Sequence, residues 1–266
     1  MYRRFSVSER EVVDLLSRTP EQSGSARVVS ALRRGLIRRA LSGLLDPSGS
    51  ISVERMSDEW FPEIGADVFI SHAHDRLHIA RALGDWLKTK LGLKSFIDSD
   101  AWGYAPTLQR KIDDAYSRAS SSTFDYEKSN LAASHVHMVL ISAITKMINR
   151  CEVIFFIEAP GKLAISDISG AKALTYSPWI YHEMLVSRLI ETTAPGREGR
   201  SGSLYEARRK KLAKAMPAFL YKEDSGDIDQ LTRGILSRWS TEWRQDQSRL
   251  DPNFSHALDL LYQLVP

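Results

Sequence analysis

With 266 residues, 43% of them hydrophobic, the chain can bury one core of ordinary size and carry an appendage, so it reads as a globular protein. Its formal charge of +3 is small against 36 basic and 33 acidic residues, so direct nucleic-acid binding through a global field is not expected. A single cysteine, Cys151, excludes an intramolecular disulfide framework and fits a reducing compartment. The charged start, Met1-Tyr-Arg-Arg-Phe, and the absence of an apolar run near the roughly 20 residues that span a bilayer complete the expectation of a soluble, cytoplasmic protein with no membrane contact.

Residues 1–62 read as an N-terminal helical module. Ser6 or Ser8 caps a helix through Leu16, and Ser25 caps a second one with Val28, Val29, Leu32, Leu36, Leu41 and Leu44 on its apolar side, ended by Asp46-Pro-Ser-Gly-Ser50. Arg27, Arg33, Arg34, Arg38 and Arg39 lie on its other face, which is a solvated face or a surface for phosphate or an acidic partner. From Gly65 the pattern becomes apolar runs alternating with amphipathic helices, which predicts a parallel sheet covered on both sides.

Val68-Phe-Ile70 is a short apolar run suited to a buried strand, and Ser71 to Arg76 would then occupy the crevice beyond its carboxyl end, where open α/β sheets bind ligands. Ile79, Ala80, Leu83, Leu87 and Leu91 recur at helical spacing and Gly92 ends that helix; Ser95 to Asp98 is a second strand. Asp98 to Tyr104 forms a loop, and Pro106 opens a helix through Leu108, Ile112 and Tyr116. Ser117 to Ser129 is polar and expected as a loop, Val139 to Ile148 as a helix, and Glu152-Val-Ile-Phe-Phe-Ile157 as the clearest buried strand. After a long connection, Ser177-Pro-Trp179 starts a helix to about Ile190, followed by a linker, a fourth strand at Ala218-Phe-Leu-Tyr221 and two C-terminal helices. Trp179 and Glu183, four apart on a helix, can present an aromatic plane and a carboxylate to the same object. Each taken alone has a plainer reading, Trp179 as core packing and Glu183 as a solvated or ion-paired residue.

Five words in this order resemble a Toll/interleukin-1 receptor (TIR) domain of the NAD-consuming bacterial and axon-degeneration kind: Asp67-Val-Phe-Ile-Ser71, Phe96-Ile-Asp98 with an Asp/Trp/Tyr loop, Ile112-Asp113, Ala159-Pro160, and Trp179-x-x-x-Glu183. The resemblance spans residues 65–266 and implies a flavodoxin-like α/β fold. An insertion near 117–134 departs from the pattern and is similar to the divergent TIR proteins of anti-phage systems such as Thoeris. It implies cleavage of the nicotinamide–ribose bond of NAD+, as substrate rather than cofactor, to nicotinamide and ADP-ribose or a cyclic isomer. Glu183 would be the catalytic carboxylate beside an oxocarbenium-like ribose, with no second carboxylate needed, because nicotinamide leaves unprotonated. Trp179 would wall the site, and Ser71, His72, Ala73, His74, Arg76, Asp98 and Trp102 would bind the nucleotide. His72 is either an uncharged hydrogen-bonding partner or a polar residue at a strand end. Asp100, Trp102 and Tyr104 would border an assembly interface, with packing over the sheet edge the alternative for the aromatic pair. The implied setting is anti-phage defence, with activity gated by homo-oligomerisation or by a sensor or effector protein.

Two other readings compete. One is a non-catalytic TIR-like adaptor, since fold does not fix function. The other is a metal hydrolase using His72 and His74, although Asp75 falls one place early for the usual His-x-His-x-Asp-His signature, and no metal ligands are assigned. Gly196 to Gly202 lacks a preceding strand and is discounted as a phosphate cradle; Arg208-Arg-Lys-Lys211 is read as a solvated helix face.

Overall fold

A computed structural model of the chain describes residues 1–17, 50–102, 105–158, 174–175, 178–192, 195, 221–222, 228–248 and 256–265. In chain order its elements are β1 (Arg3–Ser8), α1 (Glu9–Leu16), α2 (Val53–Trp60), β2 (Val68–Ser71), a 3-10 turn (His74–Arg76), α3 (Leu77–Leu91), β3 (Ser95–Phe96), α4 (Asp98–Ala101) and α5 (Ala105–Ile112), which runs into a π turn (Asp113–Ser117). Then follow α6 (Tyr126–Arg150), β4 (Val153–Glu158), β5 (Leu174–Thr175), α7 (Pro178–Leu189), β6 (Tyr221–Lys222), β7 (Asp229–Gln230), α8 (Arg233–Ser248) and α9 (Ala257–Leu264).

Five strands form an all-parallel sheet in the order β3-β2-β4-β1-β7, consistent with a flavodoxin-like α/β fold. Alternation along the strands divides the core in two. Phe69, Ile154 and Phe156 face α2, α5, α6 and α7, while Phe5, Val7, Val68, Ile70, Val153, Phe155 and Ile157 face α1, α3, α8 and α9. On the second face the Phe5 and Phe155 rings meet edge-on at 5.6 Å, and buried Trp239 donates its indole N–H to the Ala257 carbonyl at 2.7 Å. The helices after β1 and β2, α1 and α3, pack on this face, and α7, the next helix described after β4, packs on the other. The adjacent strands β2 and β4 thus have the next described helices on opposite faces, the arrangement at whose strand ends open α/β sheets commonly bind ligands.

The N-terminal segment departs from expectation. Arg3 to Ser8 is a strand rather than the start of a helix, paired with β4 from Arg3↔Val153 to Ser8↔Glu158, and Ser8 Oγ accepts from Glu11 N to cap α1. Residues 3–17 thus share the sheet and core of the remainder instead of forming a separate module. The second N-terminal helix, expected from Ser25 to Leu45, lies outside the described residues. So do the segments 159–173, 196–220 and 223–227.

The expected insertion after Ser117 is short. A bridge between Arg118 and Phe124 closes a turn, with the Arg110 and Arg118 guanidiniums over the Phe124 ring, and the Asp125 side chain accepts from Lys128 N to start α6 at Tyr126. The last four residues of the polar segment, Tyr126–Ser129, are therefore the first turn of a helix expected only from Val139. By length and composition α6 is long and apolar enough to cross a membrane, which the sequence reading did not anticipate; its Val136, Val139, Ile144 and Met147 lie in the protein core. Gly92 adopts the left-handed conformation (φ 72°) that ends α3, as anticipated. Of the expected fourth strand, Ala218 to Tyr221, only Tyr221 lies among the described residues; with Lys222 it pairs antiparallel with β5, apart from the main sheet, whose fifth member is Asp229–Gln230.

Because β1 covers one edge of β4 and brings fully buried Phe5 and Val7 to the second core face, a chain beginning at Gly65 is expected to lose cooperative unfolding. Urea denaturation followed by tryptophan fluorescence tests this, and a sharp transition near that of the full chain would disprove the shared core.

Candidate functional site

Helix α7 has an inward stripe at Ile180, Glu183, Met184 and Ser187, all buried, so the helical period places a carboxylate where an apolar side chain is normal. Glu183 is 5% exposed, and the Ser71 hydroxyl donates to its Oε2 at 2.5 Å. Ser71 ends β2 on the same sheet face as Phe69, opposite Phe156 of β4, so it lies at the carboxyl end of that strand. Burial, and after it the charge of Asp98, pushes the Glu183 carboxyl up to about 8, against the opposing hydrogen bond from Ser71.

Asp98 lies just past β3, where its Oδ1 accepts from Ser99 N at 2.6 Å. That same oxygen is 4.0 Å from Nδ1 of His72, which also lies 3.3 Å from the Ile70 carbonyl oxygen. The His72 side chain is 2% exposed, and its Nε2 is buried without a hydrogen-bond partner among the described residues. Ser71, His72, Asp98 and Glu183, from three separated stretches of chain, thus converge at the carboxyl ends of β2 and β3. The second carboxylate is the part that sequence reading missed: Asp98 was anticipated as a ligand contact, but not as a negative charge acting on Glu183. Their separation of 85 positions leaves no local spacing signal.

Other anticipated residues lie elsewhere. Ala73 packs against the first core cluster, and His74 is exposed on the 3-10 turn. Arg76 pairs with Glu9 at the start of α1, Nε to Oε2 2.7 Å, which ties the loop after β2 to the N-terminal helix. Trp179 is half-buried at the seam with α6, where its ring meets that of His137 edge-on at 5.7 Å, so it takes the packing role. One turn along, His182 Nε2 lies 3.2 Å from Thr145 Oγ1 of α6, and burial holds its imidazole below the usual range.

Trp102 corrects the expectation of an interface anchor. It is 3% exposed, donates its indole N–H to the Pro62 carbonyl at 2.9 Å, and meets the rings of Phe61 and Phe96 edge-on. Asp100 is likewise engaged within the chain, taking both carboxylate oxygens to Arg81 Nε at 3.0 and 2.9 Å and holding that guanidinium's pKa above its ordinary value. Tyr104 lies outside the described residues. Among those residues no group of three or more His, Cys, Asp and Glu could hold a metal ion, which leaves His72 and His74 without a third ligand there.

No protein-family model matches the chain, and no match was found among curated proteins or among solved structures.

The raised Glu183 value has a consequence for stability. In the unfolded chain this carboxyl ionises near 4.5, whereas in the folded protein it keeps its proton to about 8. Its contribution is thus fully present below the lower value and is lost as pH rises through the upper one. Between these limits the parent is expected to lose more stability than Glu183→Gln, by roughly a few kcal/mol. Urea midpoints of both proteins across this range measure the difference, and parallel curves would contradict the buried acid.

Proposed function

We propose that the chain is a TIR-like enzyme that cleaves the nicotinamide–ribose bond of NAD+, giving nicotinamide and ADP-ribose or a cyclic isomer. The observation that carries this reading is the buried Glu183 carboxyl, bonded to Ser71 at the carboxyl end of β2 and acted on by the charge of Asp98. Two acidic groups so close inside a protein repel each other, and the arrangement is relieved by a cation. NAD+ brings one as its pyridinium ring. As the C–N bond breaks, positive charge passes to the ribose as an oxocarbenium ion while nicotinamide departs neutral.

Binding of this cation favours the ionised form of Glu183, so the acid of the free protein becomes the carboxylate that stabilises the developing charge. Ser71 holds that carboxylate in place through its hydroxyl, and Trp179 fixes α7 against α6. Because Glu183 is buried, access for a nucleotide requires rearrangement around the crevice. Assembly with further copies of the chain, or with a sensor partner, is the proposed gate, and cytoplasmic anti-phage defence the proposed setting. The adaptor reading is weakened by the burial of Trp102 and the pairing of Asp100 with Arg81, two of the three residues anticipated as interface anchors.

The test is nicotinamide release from NAD+ by the parent and by Glu183→Gln, each with and without crowding agents that promote assembly. Release by the parent and a fall on the order of 100-fold or more in the variant are expected. Undiminished release by the variant, or none from the parent under any assembling condition, would overturn the proposal.

A further inference from the structure

The His72 imidazole is committed at one nitrogen only. Two acceptors lie near Nδ1, the Ile70 carbonyl at 3.3 Å and, beyond hydrogen-bond range, the Asp98 carboxylate at 4.0 Å; of the two neutral tautomers they favour the one with the proton on Nδ1 and the lone pair on Nε2. That lone pair is buried and unpartnered, a costly arrangement unless a donor arrives. We infer that His72 is the general base of the second half-reaction, its Nε2 receiving the proton of the hydroxyl that captures the ribosyl cation. The inference rests on the NAD+-cleaving reading above and adds to it the class of acceptor.

Once the bond between ribose C1′ and the nicotinamide nitrogen has broken, with its electron pair leaving on nicotinamide, water attacks C1′. A C1′–O bond forms, one water proton passes to Nε2, and the resulting imidazolium returns that proton to solvent. The sum is NAD+ plus water giving ADP-ribose, nicotinamide and a proton. The ring is held by the Ile70 carbonyl at 3.3 Å from Nδ1, with Asp98 Oδ1 4.0 Å away on the same side. Glu183 is left to act on the cation alone. A site with such a base favours acceptors that must lose a proton, water or an alcohol, over a ring nitrogen that bonds to C1′ without losing one.

This difference supplies the experiment. The parent and His72→Gln are given NAD+ together with 3-acetylpyridine, a neutral nitrogen acceptor, and the exchanged dinucleotide and ADP-ribose are quantified in the same reaction. Exchange needs no base, so each protein carries its own control for folding and for Glu183. The exchange-to-hydrolysis ratio is expected to rise on the order of 100-fold in His72→Gln. An unchanged ratio with nicotinamide still released would overturn the role of His72 and leave the cleavage reading standing. No nicotinamide from the parent would overturn both. Should His72→Gln fail to fold, nitrogen NMR of the histidine-labelled parent decides: a proton on Nδ1 with bare Nε2 is expected, and a proton on Nε2 overturns the inference.

Discussion

The site depends on one carboxyl group held inside the protein by one hydroxyl. The period of α7 turns Glu183 inward with Ile180, Met184 and Ser187, and the parallel pairing of β2 with β4 fixes Ser71 at the strand end where it meets that carboxyl. Burying a carboxylate without a cation is far costlier than burying the acid, so the free protein keeps the proton instead. Asp98 adds to this from a third segment, and its own placement follows from the β2–β3 pairing, Phe69 opposite Phe96. A packing rule and a sheet register thus generate the electrostatics between them.

What could be read from sequence followed the strength of the local pattern. Val68 to Ile70 and Val153 to Ile157 are continuous apolar runs because both faces of a central strand are covered, and each forms the strand expected of it. Arg3 to Ser8 is just as central, yet only Phe5 and Val7 are large and apolar, and they face one side; Ser6 and Arg4 alternate with them. Its partner strand lies about 150 positions away, so nothing local distinguishes it from a helix start. The onset of α6 was missed for the converse reason: its first turns are polar because they are solvated, and the Asp125 cap is one acidic residue in a serine-rich stretch.

The site divides the same way. Ser71 and Glu183 were legible as residues at a strand end and on a helix, although only their contact distinguishes a buried pair from two unremarkable polar positions. Trp102 beside Asp100 looked like an exposed anchor because aromatic and acidic neighbours are common at interfaces. Its real partners, the Pro62 carbonyl and the Phe61 and Phe96 rings, come from other elements, and Asp100 is taken by Arg81 of α3. Such pairings are set by tertiary packing, which spacing along the chain does not encode.

A protonated, buried Glu183 also bears on control of the proposed reaction. A permanently ionised, exposed carboxylate would serve any cationic nucleotide that diffused past. An acid buried at the end of β2 instead keeps its proton up to about pH 8, and a positive charge arriving beside it favours ionisation at lower pH. Arg76 links the loop after β2 to Glu9 of α1, so movement of that loop is mechanically tied to the N-terminal part of the sheet. The segment expected to belong to a separate module is therefore joined, through the first turn of α1, to the loop that carries His72.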